Sequence, residues 1–177
     1  MSKSLGNAID PVAIVNEFGT DALRYYLARH IHPFEDSDFT MTKFKEAYNA
    51  GLANGLGNLV SRVMKMAQEH LSSVVEIPEN TIPRDFLEAL DLYEIQKASD
   101  IVWMFITKLD ERIQETAPFK LIKTDRAKAE KIIRELVADL YTVSRMLNPI
   151  LPQTSERIKN MVKENSMPPT PLFPRKN

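Results

Sequence analysis

From Thr40 or Thr42 to about Leu71 the chain keeps one helical rhythm, and that run limits its possible folds more than any other feature. Phe44, Ala47, Leu52, Leu56, Leu59, Val63 and Met66 recur at helical spacing, which predicts one long helix with a single apolar stripe. Gly51, Gly55 and Gly57 fall in its middle, where each glycine costs about 1 kcal/mol relative to alanine. Close packing has to offset that cost. Gly51 and Gly55 stand four residues apart, on one face, where a neighbouring helix could come near. Most of a helix's stability comes from burying its stripe, so this run requires other helices against it.

The remaining sequence supplies them. Asp10-Pro11 reads as an N-cap followed by a first helical residue, with a short helix to Gly19. Thr20 is expected to cap a second helix with Leu23, Tyr26 and Leu27 on one face. The rhythm then breaks: His32-Pro33-Phe34 reads as extended, and Asp36 to Thr40 alternates like one short strand. Beyond the long helix, the 74–83 stretch is a loop. Helices follow over about 83–92 and on to Thr116, with Ile95, Val102, Phe105, Leu109 and Ile113 inward. Pro118 interrupts, Thr124-Asp125 caps a helix ending before Asn148-Pro149, and Pro152 opens a last one to about Glu164. The proline-rich tail is expected to lie extended over the bundle, anchored by Leu172 and Phe173. The expected architecture is mainly α: an antiparallel helical bundle over 43–177, preceded over 1–42 by a small α/β segment.

Composition bounds the chemistry. The 177 residues contain no cysteine and only three histidines, His30, His32 and His70, of which His30 and His32 have no acid or thiol partner at ligand spacing, so no metal site is expected. No apolar run is long enough to span a membrane and no signal peptide is visible, which points to a cytoplasmic protein without a membrane partner. A net charge of −1 argues against gripping nucleic acid by bulk charge, so any RNA contact must come from a local patch.

Three short stretches could carry function. Ser2-Lys3-Ser4, followed by Gly6, offers an ammonium and two hydroxyls on a tight turn, suited to polyphosphate; it also reads as an ordinary serine-rich chain end. Asn58 and Arg62, one helical turn apart, present a carboxamide beside a guanidinium, either a base-reading pair or a plain solvated one. Phe119 follows Ala117-Pro118 at a helix end, its ring either left exposed by the proline or packed on the core. The basic interval from Lys120 to Arg134 is a solvated face or a guide for phosphates. Trp103, mid-helix among apolar neighbours, reads as core.

Met1-Ser2-Lys3-Ser4-Leu5-Gly6-Asn7 with Gly19-Thr20-Asp21-Ala22-Leu23-Arg24-Tyr25-Tyr26-Leu27 resembles the KMSKS signature region of class I aminoacyl-tRNA synthetases, lacking the signature's first lysine. The run from Asn49 to Arg62 and the Ala117-Pro118-aromatic step resemble the methionyl-tRNA synthetase family within that class. The resemblance covers nearly the whole chain, to Pro171-Leu172-Phe173-Pro174-Arg175. It implies a C-terminal part of a methionine–tRNA ligase, carrying the signature loop and the anticodon-binding domain. Lys3 would then neutralise charge on the ATP triphosphate during methionine activation, with Ser2 and Ser4 holding the loop or its phosphates. Asn58 and Arg62 match positions that contact anticodon bases, and Phe119 stands where the family commonly has a stacking tryptophan. The implied partners are tRNA(Met) and the N-terminal catalytic domain, with no DNA. ATP with Mg2+ would serve the full enzyme, while none is expected on this fragment, which alone should be inactive. The alternative is a free-standing helical RNA-binding or scaffold protein of synthetase ancestry.

Overall fold

A computed structural model describes residues 9–79, 82–168 and 170–176. Asp10 accepts a hydrogen bond from the Val12 N–H at 2.9 Å and Pro11 opens α1 (Pro11–Phe18). Gly19, at φ 88°, turns the chain directly into α2 (Thr20–His30). Thr20 is thus the first helical residue rather than the cap. The inward face of α2 is Ala22, Tyr25 and Tyr26; Leu27, expected inside, is 48% exposed.

No strand forms over 36–40. A strand needs a neighbour for its backbone groups, and the described chain offers none there. Side chains hold the preceding turn instead: the His32 N–H donates to Ser37 Oγ at 3.2 Å and the Phe34 N–H to His32 Nδ1 at 3.3 Å. The expected α/β character of the first segment is therefore wrong among the described residues.

Thr40 caps α3 (Met41–Ala47) by accepting from the Lys43 N–H. The chain stays helical through α4 (Asn58–His70), but Tyr48–Gly57 between them is π-helical. Widened turns are rare and usually single, and here glycine permits close approach. A Cβ on Gly51 would fall 1.9 Å from Tyr25 Oη and 3.3 Å from Trp103 Nε1. That indole donates to the Gly51 carbonyl at 3.2 Å, so Trp103 is core as expected. Gly55 does not share this contact: its Cβ would meet only the Ala50 carbonyl of its own helix, at 3.3 Å.

Short α5 (Arg84–Asp91) leads into α6 (Ile95–Thr116), one face of which buries Val102, Ile106, Leu109 and Ile113. Ile95, expected inward, is 42% exposed in the first turn. After Ala117, in the left-handed region at φ 39°, Pro118 begins the single turn α7 (Pro118–Leu121). Asp125 then caps α8 (Arg126–Leu147) through the Lys128 N–H. Arg112 of α6 bonds Glu135 and Asp139 of α8, fixing the two as an antiparallel pair. Buried Ser144 and Ser155 let α9 (Pro152–Glu164) close on α8, with Ser155 Oγ donating to the Ser144 carbonyl at 2.6 Å.

The first helices are tied to the bundle through α2. Leu151 supplies no side-chain cap to α9. Asp21 does so from a distance: its Oδ2 accepts from both the N–H and the hydroxyl of Thr154, each at 2.7 Å. Arg24, one turn on, donates to the carbonyls of Ile150 at 2.7 Å and Pro149 at 2.8 Å. Two residues three apart thus satisfy the turn between α8 and α9. The tail returns over the π-helical segment, burying Leu172 and Phe173, with Tyr48 Oη donating to the Pro174 carbonyl and Asn49 paired with the backbone of Lys176.

Candidate nucleic-acid interface

Asn58 begins α4 where the π-helical segment ends, and its side chain is exposed. Arg62, a turn later, is only half free. Its Nη1 donates to Asp110 Oδ1 on α6, leaving side-chain exposures of 40% for Arg62 and 37% for Asp110. Gln114 Nε2 donates to the other Asp110 oxygen at 2.7 Å. The solvated-pair alternative is therefore incomplete, because the guanidinium is oriented by a carboxylate from another helix. Asp110 and Gln114 escaped the sequence reading. A charge on a helix face carries no mark of the helix it will meet, and the only available signal was their own spacing of four residues.

Phe119 is 48% exposed, so it does not belong to the core. The left-handed Ala117 and the ring of Pro118 together turn it off the end of α6. Lys120 holds its ammonium 6.0 Å from the ring centroid. Among the described residues, no hydrogen bond or ring contact joins Phe119 to Asn58 or Arg62. The link is α6 itself: Asp110 lies six residues before Thr116, about 9 Å along the axis. Phe119 follows Thr116 by three residues, past the turn at Ala117 and Pro118. Past Phe119, exposed Lys123, Lys128 and Lys131 make no ion pair among the described residues, whereas Arg126 is held by Glu130. Arg134 donates to Ser73 Oγ at 3.0 Å.

The other polar centre has a structural role. Tyr25 Oη stands 3.0 Å from His30 Nε2, and Arg29 lies over the Trp103 ring at 5.0 Å while bonded to Asp100. Burial, helped by the Arg29 charge, lowers the His30 pKa below the usual histidine value, and burial raises that of Tyr25. His32 is occupied by its own turn. No cluster of metal-ligating side chains occurs among the described residues, and none of their helices is long and apolar enough to cross a membrane. Leu27, Ile31, Phe34, Tyr93, Ile95 and Met104 line an apolar groove at the start of α6, about 33 Å of helix from Phe119. Ser2, Lys3 and Ser4 lie outside the described residues.

Comparison with known families shows what the chain belongs to. Residues 66–171 match the family described as the anticodon binding domain of methionyl tRNA ligase. The chain belongs to that family. Residues 1–64 match the tRNA synthetases class I (M) family. Among curated relatives, methionine–tRNA ligase of Clostridium acetobutylicum is 36% identical, over 92% of this chain and 28% of the relative. That of Clostridium perfringens is 37% identical, over 89% and 27%. The chain thus spans little more than a quarter of these relatives' length. The free-state Mycobacterium tuberculosis methionyl-tRNA synthetase superposes with a TM-score of 0.79 at 22% identity, over 96% of this chain and 41% of that one. The same enzyme with methionyl-adenylate gives 0.77 at 24%, over 99% and 41%. Both share the fold. Relatives that are ligases favour the synthetase reading over a free-standing scaffold.

Proposed function

We propose that this chain is the tRNA-reading part of a cytoplasmic methionine–tRNA ligase and binds tRNA(Met) by its CAU anticodon. The observation that carries this is the pairing of a half-exposed, carboxylate-oriented Arg62 with an exposed Phe119 turned off the end of α6, in a chain matching the anticodon-binding family. An unstacked base needs a flat surface and a directional hydrogen-bonding edge. Phe119 supplies the first, worth roughly 1–3 kcal/mol per stacked base. Arg62 and Asn58 supply the second. Lys120, Lys123, Lys128 and Lys131 would meet the phosphates on either side, giving register without sequence information. In the full enzyme ATP, carried with Mg2+, is a substrate, and Lys3, Ser2 and Ser4 would approach its phosphates as methionine is activated. These 177 residues, little more than a quarter of the relatives' length, should by themselves show no methionine-dependent pyrophosphate exchange.

Arg62→Ala tests the interface. Binding to tRNA(Met) should weaken by about 1–3 kcal/mol, the range for a good bidentate base contact. Melting should barely change, because an exposed ion pair contributes about 1 kcal/mol or less. Equal affinity of wild type and variant would remove Arg62 from the interface.

A further inference from the structure

Six of the ten exposed large apolar side chains among the described residues, Leu27, Phe34, Leu92, Tyr93, Ile95 and Met104, line the groove between α2 and the start of α6. Apolar surface gathered this way marks a contact, whereas scattered single residues do not. The groove holds about 830 Å³ and runs from Ile95 to Met104 along about 14 Å of α6. One of its residues is held at a cost. α5 ends in a turn closed by the Glu94 N–H on the Ala89 carbonyl at 2.8 Å, and Tyr93 stands at φ 59° where glycine is usual. A left-handed backbone is unfavourable for a bulky residue. Burial does not repay it, because Tyr93 is 87% exposed. Such an outlier points to a use outside the fold. Phe34, on the turn that His32 closes, is 93% exposed beside the same groove.

Charge selects the occupant. Glu35, Asp36 and Asp38 follow Phe34, and Asp91 precedes Leu92; all four are exposed and make no ion pair among the described residues. The neighbouring cations are already held, Lys97 by Glu94 at 2.6 Å and Arg29 by Asp100 at 2.9 Å. RNA and anionic lipid would meet like charge here. A second copy would set acid against acid across a symmetric contact. The walls are two helices, and no strand edge is open among the described residues, so a third helix fits the groove best. We propose that this groove docks a basic amphipathic helix of a separate protein. Its apolar stripe lies along Leu27, Ile95 and Met104. Its Lys or Arg side chains lie over Phe34 and Tyr93 and meet the free carboxylates. The surface is at the opposite end of α6 from Phe119 and does not rest on anticodon reading.

The test titrates the chain, and a ligase that contains it, with a fluorescent helical peptide of about 18 residues, leucine on one face and lysine on the other. A counterpart carries glutamate in place of lysine. The lysine peptide should bind one to one and shift the amide resonances of residues 27–34 and 91–104. The glutamate peptide should bind roughly tenfold more weakly or worse. Tyr93→Gly, which relieves the backbone, should raise the folding equilibrium constant about fivefold yet weaken the lysine peptide roughly tenfold or more. Its affinity for tRNA(Met) should equal that of wild type. Asp36→Lys combined with Asp91→Lys should reverse the preference between the peptides. Equal binding of the two peptides, or a Tyr93→Gly protein that unfolds more readily or keeps full peptide affinity, overturns the proposal. A dimer of the chain that Tyr93→Gly dissolves gives the groove to a second copy. Loss of tRNA affinity in that variant gives it to RNA. A ligase that ignores the peptide while the chain binds it gives the groove to the rest of that polypeptide. Each of these three results also overturns the proposal, and the anticodon titrations test the other end of α6 separately.

Discussion

Gly51→Ala measures directly how the π-helical segment is held. The new Cβ would stand 1.9 Å from Tyr25 Oη, 2.7 Å from Tyr25 Cζ and 3.3 Å from Trp103 Nε1. Tyr25 is 1% exposed, and its ring lies 4.6 Å from that of Trp103, so it has no room to withdraw. Forcing a methyl into such a site costs about 1–3 kcal/mol. Displacing the Tyr25–His30 and Trp103–Gly51 hydrogen bonds adds about 1 kcal/mol each. The helix preference of alanine over glycine returns about 1 kcal/mol. The net loss should be about 2–4 kcal/mol, which lowers the melting temperature by roughly 5–15 °C for a chain of this size. Gly55→Ala, which meets only its own helix, should change stability by less than about 1 kcal/mol. Urea unfolding of the two variants makes the comparison. In a Tyr25→Ala background, which removes the obstructing ring, adding Gly51→Ala should cost nothing further. A Gly51→Ala protein as stable as wild type, or a Gly55→Ala protein equally destabilised, would refute the close approach as the reason for glycine.

Phe119→Ala should lower stability by no more than about 1.5 kcal/mol, well short of the roughly 3–5 kcal/mol of a buried phenylalanine, while weakening tRNA binding; Phe119→Trp should retain or raise affinity. Melts read beside tRNA titrations check both, and a core-sized loss in Phe119→Ala would exclude the ring as a platform. For His30 the folded pKa lies below the unfolded one, so folding favours the neutral ring. Its contribution is complete above the ordinary histidine pKa of about 6.5 and is lost as pH falls through the lowered folded value. Unfolding at pH 7.5 and 5.5 should therefore show a smaller pH effect in His30→Gln than in wild type, and an identical effect would contradict the assignment.

What the sequence revealed was local. Asp10-Pro11, Thr40, Asp125 and Pro152 bound their helices as expected, because a cap is written within four residues of the helix it serves. Leu172 and Phe173 could be picked out as tail anchors because they are the large apolar side chains in a proline-rich stretch. What it concealed depends on distant partners. Asp21 caps a helix 133 residues away, and Asp110 orients an arginine 48 residues earlier. Neither leaves a periodic trace. The π-helical turns escaped for a related reason: apolar spacing over Leu52, Leu56 and Leu59 fits ordinary helical periodicity, and the wider winding shows only where Tyr25 and Trp103 close on Gly51. Leu27 and Ile95 kept helical phase yet face the groove at the start of α6, where no described element covers them. The exposure of Phe119 removes the core-packed alternative that residue type alone left open.

The most direct measurement of anticodon reading is a titration of the labelled protein with the tRNA(Met) anticodon stem-loop, followed by amide resonances. Shifts should concentrate in residues 58–62, 110–114 and 117–121, and should diminish sharply when CAU is replaced in the same stem-loop. Equal shifts for both loops, or shifts confined to the groove around Phe34 and Tyr93, would contradict the assignment of this face to the anticodon.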